Sequence, residues 1–163
     1  MIKIRNLITL SIDGFYVPPK LQKLFGFDAL QYKSFCRDAD AVLTNKSEYK
    51  KLREIELDCG IPVYVMQKGC SVLYENNDES RRVTIDELEN KGKKNIVIIG
   101  NSRELSSVLL NKACTDEIGI YLFPLILGKG KRILSALSGY SRWKVKSRQL
   151  YDSGIAVLHY IRE

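Results

Sequence analysis

The 163-residue chain has one histidine, one tryptophan and two methionines, and its four cysteines, Cys36, Cys59, Cys70 and Cys114, never fall in a Cys-x-x-Cys pair. A zinc centre needs clustered nitrogen and sulfur ligands, and this spacing does not supply them. Scattered cysteines of this kind read as free, buried thiols in a reducing cytoplasm. The single His159 lies in an alternating segment near the end of the chain, so it offers no Ser-His-Asp or Cys-His relay. Long apolar runs are also missing. The longest uncharged stretch, Ile118 to Gly128, contains Pro124, and at eleven residues it falls short of the roughly 20 that cross a bilayer as a helix. The short apolar run before Asp13 lacks a small-residue cleavage pattern, which disfavours export and favours the cytoplasm. Neither Gly-x-Gly-x-x-Gly nor a Walker sequence occurs, which disfavours a Rossmann dehydrogenase or a P-loop kinase.

What is present suits one compact domain over residues 1–163, with enough apolar residues to bury a sizeable core. Lysine and arginine exceed aspartate and glutamate, giving a net charge of +7 that attracts anions without choosing among them. The basic residues are dispersed: Lys46 to Arg53, Arg81 and Arg82, Lys91 to Lys94, and Lys129 to Arg132. None of these clusters interleaves with aromatics or resembles a recognition helix, so nucleic acid is a disfavoured partner.

Periodicity predicts alternating strands and helices. Ile2 to Ser11 reads as a β-branched first strand closed by Asp13-Gly14, and Phe15 to Phe27 as a loop around Pro18-Pro19. Asp28 caps a helix expected to reach about Asp38, and Asp40 to Thr44 forms a short strand. Asn45 or Ser47 caps a helix ending near Gly60. Ile61 to Met66 and Asn95 to Ile99 are continuous apolar strands, as in a parallel sheet covered on both faces. Cys70 to Tyr74 suggests a further strand, Asn76 to Arg82 a polar loop, and Thr84 to Glu87 a capping box. A helix marked by Leu105, Val108, Leu109 and Ala113 precedes three strands: Glu117 to Phe123, Trp143 to Tyr151, and Ile155 to Ile161. Asp152-Ser-Gly154 joins the last two as a hairpin. The expected architecture is a three-layer α/β fold, mostly parallel, with an antiparallel C-terminal edge.

The candidate chemistry sits at strand ends, where open α/β sheets bind ligands. Asp116 to Gly130 is an apolar strand entered through two carboxylates and left through Pro124, Gly128 and Gly130. It is either a bulged edge or a shelf for a flat ligand. Ser11-Ile-Asp13-Gly14 holds a carboxylate on a tight turn. Thr44-Asn-Lys-Ser47 and Gly100-Asn-Ser-Arg103 each lead from a strand into a helix through small polar residues. Such turns are ordinary caps singly, and together they suit the phosphates of a dinucleotide.

In this order, Ser11-x-Asp13-Gly14, Arg37-Asp-Ala-Asp40-Ala-Val-Leu43, Val97-Ile-Ile-Gly100, and Asp116-Glu117 with Pro124-x-x-x-Gly128-x-Gly130 resemble the reductase domain of riboflavin biosynthesis. The terminal Val157-Leu-His159-Tyr160 is similar to that family's last strand. The resemblance spans essentially the whole chain. It implies a dihydrofolate reductase-like fold, NADPH as cofactor, hydride transfer to a pyrimidine- or pterin-like heterocycle, and a homodimer. By position it places Thr44, Asn45, Lys46 and Ser47 on the adenosine side of the cofactor, with Lys46 and Lys68 toward its 2′-phosphate. Gly100, Asn101 and Ser102 fall at the pyrophosphate, with Gly128 and Gly130 beside them. Ser11, Asp13 and Arg37 fall at the substrate, Asp13 being the catalytic candidate.

The chain also departs from the pattern. Asn101 stands where two successive glycines are usual, Thr44 where a glycine is usual, and Glu48-Tyr-Lys-Lys-Leu-Arg-Glu54 replaces an Asp-Pro-x-Leu-Thr-x-Arg-like segment. These departures support a second reading, a non-catalytic domain of the same fold that binds a nucleotide or phosphorylated metabolite.

Overall fold

The computed structural model describes residues 1–54, 61–66, 73–75, 78–83, 85–100, 115–134 and 139–163. Five strands run parallel side by side: β3 (Val63–Met66), β2 (Ala41–Asn45), β6 (Asn95–Ile99), β1 (Lys3–Ser11) and β7 (Glu117–Phe123). Antiparallel pairs extend both edges. β4 (Leu73–Glu75) and β5 (Asp78–Val83) lie beyond β3, and β9 (Ala156–Arg162) and β8 (Trp143–Leu150) lie beyond β7, completing a nine-stranded sheet. The parallel centre and antiparallel C-terminal edge agree with the sequence. The β4–β5 hairpin replaces the expected polar loop over 76–82. Its Asp-Glu-Ser-Arg-Arg composition is that of a charged edge strand, which needs no apolar alternation.

Continuous apolar strands bury both faces, as expected where parallel strands are covered on each side. In β1 and β6, Leu7, Val97 and Ile99 enter one core cluster while Ile4, Ile96 and Ile98 enter another. Leu88 of α4 (Ile85–Asn90) packs with the second cluster. Tyr32 and Phe35 of α2 (Ala29–Phe35) pack with the first.

Asp28 opens α2 through a reciprocal capping box: the Leu30 amide donates to Asp28 Oδ1 (2.9 Å) and the Asp28 amide to Gln31 Oε1 (2.8 Å). The helix ends at Phe35, three residues before the expected Asp38. The 15–27 segment, expected as a loop, contains α1 (Pro19–Gln22) followed by a 3-10 turn at Lys23–Phe25. Pro19 occupies the first helical position, where its missing N–H is no loss.

A buried polar network fixes this segment to the sheet. The Tyr32 hydroxyl donates to Gln22 Oε1 (2.8 Å), and Gln22 Nε2 donates to the Val17 carbonyl (2.7 Å) and to Thr9 Oγ1 (3.3 Å). All three side chains are almost fully buried, so their mutual satisfaction is what makes burial tolerable. α3 (Lys46–Glu54) follows β2 directly. The helix read around Leu105–Ala113 and the Thr84 cap lie outside the described residues.

Candidate functional site

Four adjacent parallel strands, in the order β2, β6, β1, β7, end on the same side of the sheet. Neighbouring strands are about 4.8 Å apart, so these ends make a row long enough for an extended ligand. The predicted residues Ser11, Asp13, Thr44, Asn45, Lys46, Ser47, Gly100, Gly128 and Gly130 all fall on this row or the turns leaving it. Arg37 does not. It follows the end of α2 and precedes β2, and the intervening Asp40 binds the amides of Lys94 and Asn95 where β6 begins (2.8 and 2.9 Å). Arg37 therefore sits at the opposite end of the parallel strands, because α2 returns the chain to where β2 must start. Lys68, Asn101 and Ser102 lie outside the described residues.

The β1 end is a tight turn tied to the loop that follows β7. The Ser11 amide donates to the Phe15 carbonyl (2.8 Å) and the Phe15 amide to Ser11 Oγ (3.0 Å), Gly14 closes the turn with φ +83, and the Ile12 amide donates to the Leu125 carbonyl (2.8 Å). Asp13 clamps the two segments. Its Oδ1 accepts from the Ser11 hydroxyl (2.6 Å) and the Leu127 amide (3.1 Å), and its Oδ2 accepts from the Gly128 amide (2.7 Å). The Ser11 hydroxyl, followed by the two amides, pulls the Asp13 pKa down to about 2. The carboxylate is thus an anion at neutral pH and has no proton to give. One Oδ2 lone pair remains for a further donor, counting about four acceptor positions on an ionised carboxyl. Gly128, with φ +74, holds the backbone in the left-handed form that delivers its amide to Asp13. The shelf between Pro124 and Gly130 is therefore a loop folded over the β1 turn rather than a bulge within a paired strand.

At the β2 end, Thr44 is wholly buried and, among the described residues, its Oγ1 has no hydrogen-bond partner. Asn45 Nδ2 donates to Ser47 Oγ (2.7 Å) across the start of α3, where Lys46 is exposed and the first-turn amides have no acceptor within the helix. Gly100 is buried at the end of β6, between these two turns. Such a donor-rich row, with one helix N-terminus and one lysine, suits a phosphorylated ligand.

A pair not anticipated from the sequence joins the halves. The Tyr16 hydroxyl lies 2.8 and 3.0 Å from the two carboxylate oxygens of Glu48, which is 1% exposed. Glu48 stands three residues after Asn45, the spacing of a helix start, so the sequence signals a cap there and not a long-range bond. Tyr16 also donates its amide to the Lys131 carbonyl (2.8 Å). The α3 turn, the β1 turn and the Gly128–Gly130 loop are thereby connected.

His159 is remote from this row. It pairs with Gly119 in mid-strand, stacks on Phe35 at 6.0 Å, and is held below the usual imidazole pKa by burial. No group of three or more metal-binding side chains occurs among the described residues. No helix there is long and apolar enough to cross a membrane.

No family model matches the chain, and no curated protein does either. Solved structures do. A Shewanella sp. PV-4 protein provisionally described as a riboflavin biosynthesis protein is 17% identical, with a TM-score of 0.75 over 99% of each chain. A pyrimidine reductase-like protein from Corynebacterium diphtheriae is 15% identical, with a TM-score of 0.73 over 99% of this chain and 92% of its own. The Thermotoga maritima diaminohydroxyphosphoribosylaminopyrimidine deaminase/5-amino-6-(5-phosphoribosylamino)uracil reductase is 12% identical, with a TM-score of 0.68, and the match spans 57% of its length. The fold is that of the riboflavin-biosynthesis reductases, the dihydrofolate reductase-like fold expected from the sequence.

Proposed function

We propose that this chain is an NADPH-dependent reductase that transfers a hydride to a small heterocycle of the pyrimidine or pterin kind. One observation carries the reading. On a fold shared with reductase-like proteins, four consecutive strand ends present a polar helix start, a buried glycine, an anchored carboxylate and a glycine-bearing loop. The residues present fit the cofactor. Thr44 Oγ1 is a buried polar atom beside the α3 turn without a partner among the described residues, Asn45 and Ser47 supply donors, and Lys46 supplies a cation for a phosphate. Gly100 gives the backbone approach a pyrophosphate needs, and Asn101, Ser102 and Lys68 complete the set by position. When bound, NADPH supplies the hydride from its nicotinamide.

Asp13, fixed as an anion, accepts an N–H of the substrate through its remaining Oδ2 lone pair and orients the ring. The proton that completes reduction then comes from water, since Asp13 cannot donate one. Gly128 keeps the loop close to the β1 turn through its amide bond to Asp13, and Gly130 packs on Phe15. The functional unit is a single domain acting as a homodimer. Calorimetric titration of the protein with NADPH is expected to show saturable binding, with weaker binding of NADH. No heat and no quenching of cofactor fluorescence at millimolar NADPH would sink the reading.

The second reading, a domain that binds the nucleotide without turnover, draws on the same carboxylate. Three of its acceptor positions are already filled by the protein. Cofactor binding without oxidation by any pyrimidine, pterin or flavin precursor would favour it. Binding of nucleic acid would instead show a steep salt dependence, which the dispersed basic residues do not favour.

A further inference from the structure

The strand-end row continues into a cavity of about 340 Å³ between α2 and the β8–β9 turn, with Phe27, Tyr121, Tyr151 and Ile155 among its walls. Cavity and row form one site. Gly154 of the β8–β9 turn lies against Pro124, where an added Cβ would stand 3.3 Å from the proline ring. Leu127, whose amide holds Asp13, packs against the cluster that contains Phe27, Tyr121 and Ile155. The polar wall residues Gln31, Ser34 and Ser153 are neutral, and among the described residues no charged side chain lines the cavity. The surroundings do not favour an anion either. Asp13 is a fixed carboxylate. Next in sequence to the walls stand two acids, Asp28 and Asp152, and one base, Lys33, which is turned about 100° around α2 from Ser34. Lys46 leaves β2, three strands from β7 and so about 14 Å away. The Lys129–Arg132 run leads from Gly128 to the other face of the sheet. The Tyr16 amide binds the Lys131 carbonyl (2.8 Å), and Tyr16 and Ile133 pack with Ile8, whereas the cavity walls pack with Leu7. Adjacent residues of a strand point to opposite faces. The Arg132 guanidinium lies over the Phe15 ring at 4.4 Å.

We infer, taking the row as the reductase site proposed above, that the heterocycle reduced here carries no phosphate: the chain takes a free base or a nucleoside-like pyrimidine or pterin and rejects the phosphorylated form. A phosphomonoester holds a charge of about −1.5 to −2 at neutral pH. Placing it against uncharged aromatic walls costs its hydration with no cation to offset the loss, and the Asp13 carboxylate repels it. A neutral ring meets neither penalty. The aromatic walls take its faces, and Asp13 accepts its N–H.

Neopterin and 5-amino-6-ribitylaminouracil, each beside its own monophosphate, supply matched pairs that differ only in the phosphate. Saturation-transfer NMR on the full chain without cofactor is expected to show submillimolar binding of at least one parent, with its monophosphate weaker by about tenfold or more. Ser34→Lys, at an exposed position of α2 on the cavity wall, supplies the missing cation and should erase most of that difference. A gain of monophosphate binding is a change that misfolding cannot imitate. A monophosphate that binds the wild type as tightly as its parent overturns the inference, and so does failure of both parents to bind. A ratio unmoved by Ser34→Lys would place the rejection elsewhere and overturn the role of this cavity. Because binding is read without cofactor, a chain that fails to take NADPH still reports the preference. Oxidation of NADPH by a phosphorylated heterocycle would keep the reductase reading and sink only the preference.

Discussion

Asp13 holds two loops together by three hydrogen bonds, and the same bonds set its titration. Its folded pKa of about 2 lies below the ordinary carboxylate value of 3.8, so the folded protein releases this proton more readily than the unfolded chain. The stability it contributes is complete above about pH 4 and is lost as the pH falls toward its folded value of about 2. The amide resonances of Leu127 and Gly128 should therefore move together over that interval, and Asp13→Asn should flatten the transition and lower cofactor affinity. A flat profile in the wild type would show that the clamp does not operate in solution. Glu48 makes a stronger demand on its partner because it is 1% exposed. Tyr16→Phe removes a donor from a buried carboxylate and should cost about 1–3 kcal/mol in urea unfolding. If the pair also aligns the α3 turn with the Gly128–Gly130 loop, the variant will weaken NADPH binding too. Lys46 is exposed, and its charge is screened by water. Lys46→Ala should weaken NADPH by no more than about fivefold, roughly 1 kcal/mol, and leave NADH unchanged; equal loss for both would deny it the 2′-phosphate.

At the scale of elements, the contact between α2 and β7 depends on an absent side chain. A Cβ on Gly119 would stand 2.6 Å from the Phe35 ring and 3.3 Å from His159. Phe35 cannot yield easily, since it is 8% exposed, stacked on His159 and edge to face with Tyr121. Gly119→Ala should destabilise by about 1–3 kcal/mol, as overpacking does, and Phe35→Leu should recover part of that loss in the double variant. Strict additivity of the two changes would mean that the close approach is not the cause. The Gly119 position shows what a sequence conveys and what it withholds. The apolar run from Ile118 to Phe123 announced a buried strand, and the Asp28 cap announced α2, because both signals are local. Nothing local says that Phe35 lies on Gly119. The β4–β5 hairpin was hidden for a related reason, since a charged edge strand lacks the alternation that marks a half-buried one. Likewise the strand-end residues could be found from turn chemistry, whereas Arg37 could be excluded only once the direction of α2 was known, and Tyr16–Glu48 only once the chain had closed over 32 residues of separation.

For the molecule as a whole, the C-terminal edge is the surface that most requires a partner. Among the described residues β8 pairs only with β9, and every β8 residue after Trp143 is exposed. Lys144, Lys146 and Arg148 line this edge, and like charges of this kind discourage a second β8 from pairing along it. The face is a different matter. Val145 lies across from Tyr160, Arg148 from Leu158 and Leu150 from Ala156, so these side chains share one face of the sheet. Val145 and Leu150 are 48% and 75% exposed there. A homodimer formed face to face would cover this patch while leaving the strand-end row open. A stable interface of that kind buries about 1,200–2,000 Å² in total, more than two exposed side chains alone provide, so Leu158 and Tyr160 must contribute. Sedimentation equilibrium should find the wild type dimeric at micromolar concentration. Val145→Lys with Leu150→Lys should yield a folded monomer, because both positions are already exposed and neither supports the core. If the double variant sediments as the wild type does, the dimer uses another surface; if the wild type is itself monomeric at high concentration, the strand-end row must function within one chain.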